Sequence, residues 1–181
     1  MSSHSSVTQT VETPVRELIV RTEWHFDPDR IVAAFADFSE MPLHNNALAV
    51  TSRPGSTDPM YEATTAGDEI EMEFNVINEP FRGTIFEEIL QSLPFRFGRT
   101  RLMCVPPQRC YPVHQDETIR YHLAVSSHPY AYIAYPLANK IYNIPEDGYL
   151  YQMDPREPHT AINCGPIRRF HLVVVTDKRE P

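Results

Sequence analysis

Apolar residues recur at helical spacing in two segments of the first half of the chain. Asp27 and Pro28 supply an N-cap and a first-turn proline for the first helix. Its predicted buried stripe consists of Ile31, Ala34, Phe35 and Phe38. A second helix is predicted over 84–93, where apolar residues again fall near helical spacing before Pro94.

The remainder of the first half predicts short strands and a long loop. Leu18, Ile19 and Val20 form a brief apolar run that is typical of a strand. Ala47–Val50 predicts another strand, and the rest of 41–66 is rich in turn-forming prolines, Gly55 and Asp58 and is interpreted as a loop. Residues 70–77 alternate loosely and predict a third strand.

Beyond Phe95 the pattern changes to short runs rich in Val, Ile, Tyr and Phe, separated by prolines and glycine turns. That spacing is typical of an all-β sandwich or barrel. Segment 118–125 alternates, with Arg120 and His122 on one face and Ile119, Tyr121, Leu123 and Val125 on the other. In 170–175 the same alternation places Arg169 and His171 opposite the apolar Phe170, Leu172 and Val174.

Length and composition favour one folded domain. The 181 residues suffice for one core, and 41% apolar with 22% charged residues is ordinary for a globular protein. Residues 1–14 are rich in Ser and Thr and poor in apolar side chains, so we expect a disordered tail followed by a single domain over 15–181.

The formal charge of -8 disfavours tight binding to nucleic acid or to anionic lipid surfaces. We find neither a membrane-spanning apolar run nor the apolar centre of a secretory signal, and we therefore expect a cytoplasmic protein. The odd number of cysteines, three, with no CxxC arrangement, predicts reduced thiols.

The candidate chemistry lies in the second half. His114 and Asp116 are separated by one residue, so in a strand both side chains would point to one face, about 7 Å apart along the backbone. Together with His159 they provide the two imidazoles and one carboxylate of a facial triad, which leaves three positions on the metal open. The alternative is that HxD is a frequent tripeptide and His159 a surface residue.

Positively charged side chains on the same strand faces favour a metal site over a chance HxD tripeptide. A strand that points Arg120 and His122 toward a metal pair needs a counter-anion, because an unpaired buried guanidinium is costly. Arg169 offers a planar fork that suits a carboxylate. Equally, Arg169 could be a solvated residue on an edge strand.

Four segments together resemble the aspartyl/asparaginyl β-hydroxylase family of 2-oxoglutarate oxygenases, which includes free-proline hydroxylases. They are the residues 114–116, 120–123, 158–163 and 169–174, within a similarity that spans about 95–177. The resemblance implies a mainly β, double-stranded β-helix (jelly roll, cupin-like) fold with a few flanking helices in the N-terminal half.

The same resemblance implies a site and an activity. His114, Asp116 and His159 would bind Fe(II), Arg169 would pair with the distal carboxylate of 2-oxoglutarate, and Arg120 and His122 would contact its carboxylate near the metal. The expected activity is hydroxylation of a C–H bond with dioxygen, with ascorbate as an auxiliary reductant. Because Asp116 is present, hydroxylation is favoured over halogenation, for which related enzymes replace the acidic ligand.

Several readings remain open at this point. The compact acidic chain favours a small substrate such as an amino acid, and the alternative is an Asp, Asn or Pro side chain in a peptide or protein. A cupin-like metal-binding protein without 2-oxoglutarate chemistry would need no pair of arginine clamps. A non-catalytic jelly roll with incidental histidines is the third possibility.

Overall fold

The computed structural model describes residues 16–65 and 67–178. The predicted disordered tail over 1–14 lies outside these residues. Three helices precede most of the strands, and two of them, α1 and α3, are the helices that the hydrophobic pattern predicts. The helices are α1 (Pro28–Ala36), α2 (Pro59–Thr65) and α3 (Ile85–Ser92). The strands are β1 (Ile19–His25), β2 (Ala47–Ala49), β3 (Thr51–Ser52), β4 (Val76–Ile77), β5 (Phe97–Val105), β6 (Arg109–Cys110), β7 (Arg120–Ser126), β8 (Ala131–Tyr135), β9 (Lys140–Tyr142), β10 (Tyr149–Met153), β11 (Thr160–Asn163) and β12 (Arg169–Thr176).

Two antiparallel sheets form the body of the domain. The larger sheet has six strands in the order β1-β10-β7-β12-β5-β2, and the smaller has four in the order β6-β11-β8-β9. From β5 onward the chain passes repeatedly between the larger and the smaller sheet, as it does in a jelly roll, and only the hairpin of β8 and β9 stays within one sheet. The prediction of a mainly β double-stranded β-helix with flanking helices is confirmed.

The larger sheet is buried on both faces. Its outer face carries apolar side chains such as Leu102, Leu123 and Leu172, which pack in one core with residues of α1 and α3. Its inner face is turned to the smaller sheet, where Met153 and Ile133 join a second, smaller core. Burial of both faces explains why β12 is inaccessible along its whole length, including its polar residues Arg169 and His171.

The two predicted helices are confirmed with small shifts at their ends. Asp27 caps α1, because its Oδ1 accepts from the backbone N–H groups of Asp29 at 2.9 Å and Arg30 at 3.5 Å. Ile31 and Phe35 are buried on this helix, and Phe38 is buried just beyond its end. Thr84 caps α3 through Phe86 N.

Two predictions in the first half are wrong. The segment predicted as a strand over 70–77 is mostly a 3₁₀ helix, Asp68–Glu73, and only Val76–Ile77 pairs as a strand. One tight turn brings Phe74 against Ala49 and Ala63 while Glu71 is directed to buried arginines. The loop predicted within 41–66 contains α2.

No helix within 16–65 and 67–178 is both long and apolar enough to cross a membrane. The cysteines Cys104, Cys110 and Cys164 are all free, which agrees with the prediction of reduced thiols.

Candidate metal centre

His114, Asp116 and His159 come together at one end of the space between the two sheets. One potential ligand atom from each lies within 4.8 Å of the other two. The histidines form an antiparallel bridge, in which His114 N donates to His159 O at 3.0 Å and His159 N donates to His114 O at 2.9 Å. This bridge lies outside the regular strands, so a short pairing between two loops, and not the continuous strand assumed for 114–116, aligns the pair.

Both imidazoles are oriented in the same way by the backbone two residues earlier. His114 Nδ1 lies 2.9 Å from Pro112 O, and His159 Nδ1 lies 3.1 Å from Glu157 O. A carbonyl oxygen only accepts, so each Nδ1 carries the proton and each Nε2 keeps its lone pair. Fixing the second ring nitrogen to a backbone carbonyl is how proteins orient metal-binding histidines.

The protonation of His159 suits the same role. Burial lowers its pKa below the ordinary histidine value, and the neighbouring His114 lowers it further. A neutral imidazole is the form that coordinates metal.

A chain of ion pairs holds Asp116 in place. Asp116 Oδ2 lies 3.3 Å from Arg120 Nε, and Arg120 Nη2 donates to Glu71 Oε2 at 2.7 Å. Arg99 pairs with the other oxygen of Glu71. Arg120 also donates to Thr118 O at 3.0 Å. All of these arginines and Glu71 are buried, so the network is shielded from solvent screening.

A cavity of about 80 Å³ opens directly onto the three residues. It is lined by Arg101, Met103, Tyr111, His114, Asp116, Arg120, His122, Ile133, Met153, His159, Ala161, Arg169 and Val173. Three of these side chains are guanidinium groups, and the protein as a whole carries a charge of -8. Low-dielectric walls strengthen the local field, so the cavity attracts anions although the whole molecule is acidic.

Arg169 is placed to bind such an anion. It is 2% exposed and lines the cavity. Its Nη2 lies 2.7 Å from His171 Nδ1, which must accept, since a guanidinium has no lone pair to offer. Its Nε has no hydrogen-bond partner within the described chain. Burial lowers the pKa of Arg169 to about 10, and the group therefore stays charged at neutral pH.

Two neighbouring histidines are also buried with a ring nitrogen unsatisfied. These atoms are His122 Nδ1 and His171 Nε2. Burial lowers the pKa of both rings well below the ordinary value, and the positive charge of Arg169 adds to the effect. Both rings are therefore neutral near pH 7, and His122 is one of the residues that line the cavity.

The structure brings all six residues predicted for the site into one region. Arg120 and Arg169 both line the cavity, and Arg120 additionally contacts Asp116. Its role as a cosubstrate contact stays a prediction. Sequence reasoning missed four residues around the site: Glu71, Arg99, Arg101 and Tyr111. The alternation of β5, which places arginines at 99 and 101 on one face, was the available signal.

Comparison with solved structures agrees on the fold. AviO1 from Streptomyces viridochromogenes Tue57 is 15% identical and superposes with a TM-score of 0.53, covering 92% of this chain and 93% of its own. The viral collagen prolyl hydroxylase from Paramecium bursaria Chlorella virus-1 is 10% identical with a TM-score of 0.51, covering 96% and 100%. Its complex with 2OG is 9% identical with a TM-score of 0.50, covering 88% and 95%.

No family model matches this chain, and no curated protein matches it by sequence. At these identities the similarity shows a shared fold. The resemblance to the aspartyl/asparaginyl β-hydroxylases therefore stays a prediction, while the jelly-roll fold is shared with a prolyl hydroxylase.

Proposed function

We propose that this chain is an Fe(II)- and 2-oxoglutarate-dependent dioxygenase that hydroxylates a C–H bond of a small substrate. One observation carries the proposal: the two-histidine, one-carboxylate cluster faces a cavity that contains the buried guanidinium of Arg169. A metal site alone would not require that charge. A dicarboxylate that reaches from the metal to Arg169 accounts for both features.

The donor set suits iron. Two Nε2 atoms and one carboxylate oxygen on the same side of an ion, with the remaining positions open, is the arrangement typical of non-haem Fe(II) oxygenases. The ring nitrogens that do not face the site are fixed by Pro112 O and Glu157 O, so the imidazoles are aligned before any metal binds. Arg120 limits the movement of Asp116.

Arg169 would hold the distal carboxylate of 2-oxoglutarate. The unpartnered Nε and the Nη groups present a fork that matches a carboxylate, and a charge-assisted pair is strong in a dry pocket. His171 accepts from Nη2 and thereby fixes the plane of the guanidinium. His122 would donate or accept at the other end of the cosubstrate, where its ring lines the cavity.

When bound together, iron and 2-oxoglutarate supply the oxidising power to convert C–H into C–OH with dioxygen, releasing succinate and carbon dioxide. The protein's own residues bind and orient. His114, Asp116 and His159 would hold the ion, and Arg169 would orient the cosubstrate. The apolar side chains of Ile133 and Val173 keep water away from part of the cavity wall.

The substrate that we favour is an amino acid or a compound derived from one. An Asp, Asn or Pro side chain in a peptide or protein is the alternative. The viral collagen prolyl hydroxylase that shares the fold is named for a protein substrate, and its similarity to this chain keeps that alternative among the outcomes to be tested.

The test is production of succinate. Protein prepared anaerobically receives Fe(II), ascorbate and 2-oxoglutarate, oxygen is admitted, and succinate is followed by NMR with a panel of free amino acids. We expect succinate from the native chain and from His25→Ala, which alters an exposed histidine on β1, and none from His159→Ala. Absence of succinate in the native chain despite bound iron would favour a cupin-like protein without 2-oxoglutarate chemistry.

Two adjacent arginines provide a matched test of the cosubstrate clamp. Arg169→Lys should raise the KM for 2-oxoglutarate by about tenfold or more, since one charged hydrogen bond contributes roughly 1.5–3 kcal/mol. Arg168→Lys should leave that KM unchanged, because Arg168 is directed away to Ser39 O and Glu40. Equal values for both variants would remove Arg169 from the clamp.

A further inference from the structure

Not every charged side chain around the metal centre has an ion-pair partner within the described chain, and the exception outside the cosubstrate clamp is the half-buried Arg101. Arg99 and Arg120 share Glu71, and Arg120 also pairs with Asp116. Among the described residues, no carboxylate lies within ion-pairing distance of Arg101 or Arg169. If Arg169 holds the cosubstrate, one guanidinium, that of Arg101, remains without a described carboxylate in direct contact, and Glu71 and Asp116 act on it only from a longer distance.

Arg101 is anchored far from the cosubstrate clamp. It lies on β5 directly opposite Val173 of β12, and Val173 is in turn opposite His122 of β7. Arg169 is four residues from Val173 along β12, which is about 13 Å in an extended strand. With about 4.8 Å between strands, the Cα atoms of the two arginines are roughly 14 Å apart. Arg101 and Arg169 therefore approach the cavity from different ends.

Arg101 lies where the inner cavity meets a groove that is open to solvent. Beside the inner cavity lies an open groove of about 440 Å³, lined by Asn45, Arg99, Arg101, Met103, Tyr111, Pro112, His114, Gln115 and Asp116. Arg101, Met103, Tyr111, His114 and Asp116 line both spaces. A molecule in the groove would therefore lie beside His114 and Asp116 and leave the inner cavity free for the cosubstrate.

The guanidinium of Arg101 is prepared for a ligand. Its Nε is buried and has no hydrogen-bond partner within the described chain, an arrangement that is costly unless a ligand completes it. Burial lowers its pKa to about 10, with repulsion from Arg99 contributing, and it stays charged at neutral pH. One free positive charge with a planar fork matches a single carboxylate bound through both oxygens.

We propose that the substrate in this groove is a free carboxylic acid of amino-acid size, whose carboxylate is held by Arg101 so that its carbon chain extends toward His114 and Asp116. This inference rests on the proposed function and names its substrate class. It favours a free amino acid over a residue within a peptide, because an internal peptide carbonyl is neutral and would leave the guanidinium unpaired. A specificity-determining role for Arg101 follows.

The experiment compares each L-amino acid with its carboxamide. Succinate formation is measured with the twenty free acids and with the matching amides, and kcat/KM is obtained for the best acid and its amide. The native chain should prefer the acid by about 30-fold or more, the range expected when a buried charged donor is left unpaired. Arg101→Gln should reduce that ratio to near one, and Arg101→Lys should retain part of it.

Arg109→Gln is the matched control, because Arg109 is an exposed arginine on β6 at the edge of the smaller sheet and should keep the native ratio. A native enzyme that uses amides as well as acids would overturn the proposal. An unchanged ratio in Arg101→Gln would do the same. Since both outcomes are ratios measured on active protein, they are distinct from a failure of the oxygenase function, in which no succinate forms.

A binding measurement decides the case if no succinate forms. Zn(II)-loaded protein with 2-oxoglutarate is mixed with the same acids and amides, and binding is followed by saturation-transfer NMR. Binding of acids but not of amides, lost in Arg101→Gln and kept in Arg109→Gln, would support the carboxylate site independently of turnover. Absence of binding by every acid would overturn it.

Discussion

Glu71 is predicted to contribute more to stability than any exposed acidic residue of this chain. It lies in the short 3₁₀ helix, is 4% exposed, and pairs with Arg99 and Arg120 through different oxygens. The substitution Glu71→Gln keeps the shape and one accepting oxygen but removes the charge. Two buried guanidinium groups then lose their shared counter-ion, which also removes much of the compensation for their own burial.

The expected loss follows from that uncompensated burial. Breaking a buried ion pair by removing one partner costs about 3–5 kcal/mol. Since Gln keeps a hydrogen-bond acceptor, the lower end of the range, about 3 kcal/mol, is expected. For a domain of this size such a loss lowers Tm by roughly 6–12 °C. Urea unfolding of the metal-free protein, followed by circular dichroism, measures the free energy directly.

Glu88→Gln supplies the matched control. Glu88 pairs with Arg30 at 2.6 Å, and both side chains are 53% exposed. The chemical change is the same, but solvent screens the charges, so no measurable change in Cm is expected. If Glu71→Gln and Glu88→Gln had equal effects, or if Glu71→Gln cost less than about 1 kcal/mol, the reasoning from buried charge would be refuted.

The same variant tests the link to the metal centre. Arg120 contacts both Glu71 and Asp116, so losing one partner should loosen its position against the other. Substitutions that disturb such supporting contacts typically weaken metal binding by about 10–100-fold. Titration with Co(II) or Mn(II) should therefore show weaker binding in Glu71→Gln at a temperature where the protein is fully folded. Native affinity would show that Arg120 holds Asp116 without help from Glu71.

Three further outcomes are expected. Burial lowers the pKa values of His122 and His171, so below about pH 6.5 the unfolded chain takes up protons that the folded chain does not, and the free energy of unfolding falls by up to about 3 kcal/mol by pH 5.5. Urea unfolding at pH 7.5 and 5.5 should show that His171→Asn loses less of this free energy than the native chain does. An equal loss in both proteins would contradict the prediction. Gly83→Ala and Gly148→Ala both place alanine at positive φ, 72° and 74°, but only the second would drive its Cβ into a backbone carbonyl oxygen, that of Phe26. In thermal melts Gly83→Ala should therefore lower the free energy of unfolding by about 1 kcal/mol, and Gly148→Ala should lower it several times more. Asp27→Ala removes the cap of α1 and should cost about 1 kcal/mol by urea unfolding, whereas Asp27→Asn should restore most of it.

The second half of the chain could be predicted from sequence because the residue types along each strand show which positions are buried against the helices. β7 and β12 alternate between apolar residues and a few polar ones, and in the structure the polar positions face the cavity while Leu123 and Leu172 face the helices. A side-chain period of two is a local property, so it survives without knowledge of the partner strands. The HxD spacing is equally local.

The first half was less predictable because its segments are shaped by distant partners. Residues 70–77 have an apolar content that fits a strand, but the fold requires Glu71 to reach arginines on β5 and β7, which a 3₁₀ turn allows. Tertiary contacts of this kind override weak local preference. Arg101 was missed for a similar reason: its significance depends on which other arginines have acidic partners, and that pairing exists only in three dimensions.

The distribution of acidic partners among the buried arginines also connects the stability of this protein with its proposed function. Arg101 and Arg169 are held where no described carboxylate pairs with them, and each has an unsatisfied Nε. An unpaired guanidinium of this kind lowers the free energy of unfolding of the unliganded protein, and an anion that binds to it restores that stability. Ligands should therefore stabilise the protein in two separable steps: 2-oxoglutarate through Arg169 in the inner cavity, and a carboxylic acid through Arg101 in the groove. An acidic chain that concentrates unpaired positive charge at one site gains selective attraction for anions there, while its net charge of -8 repels polyanions elsewhere on its surface.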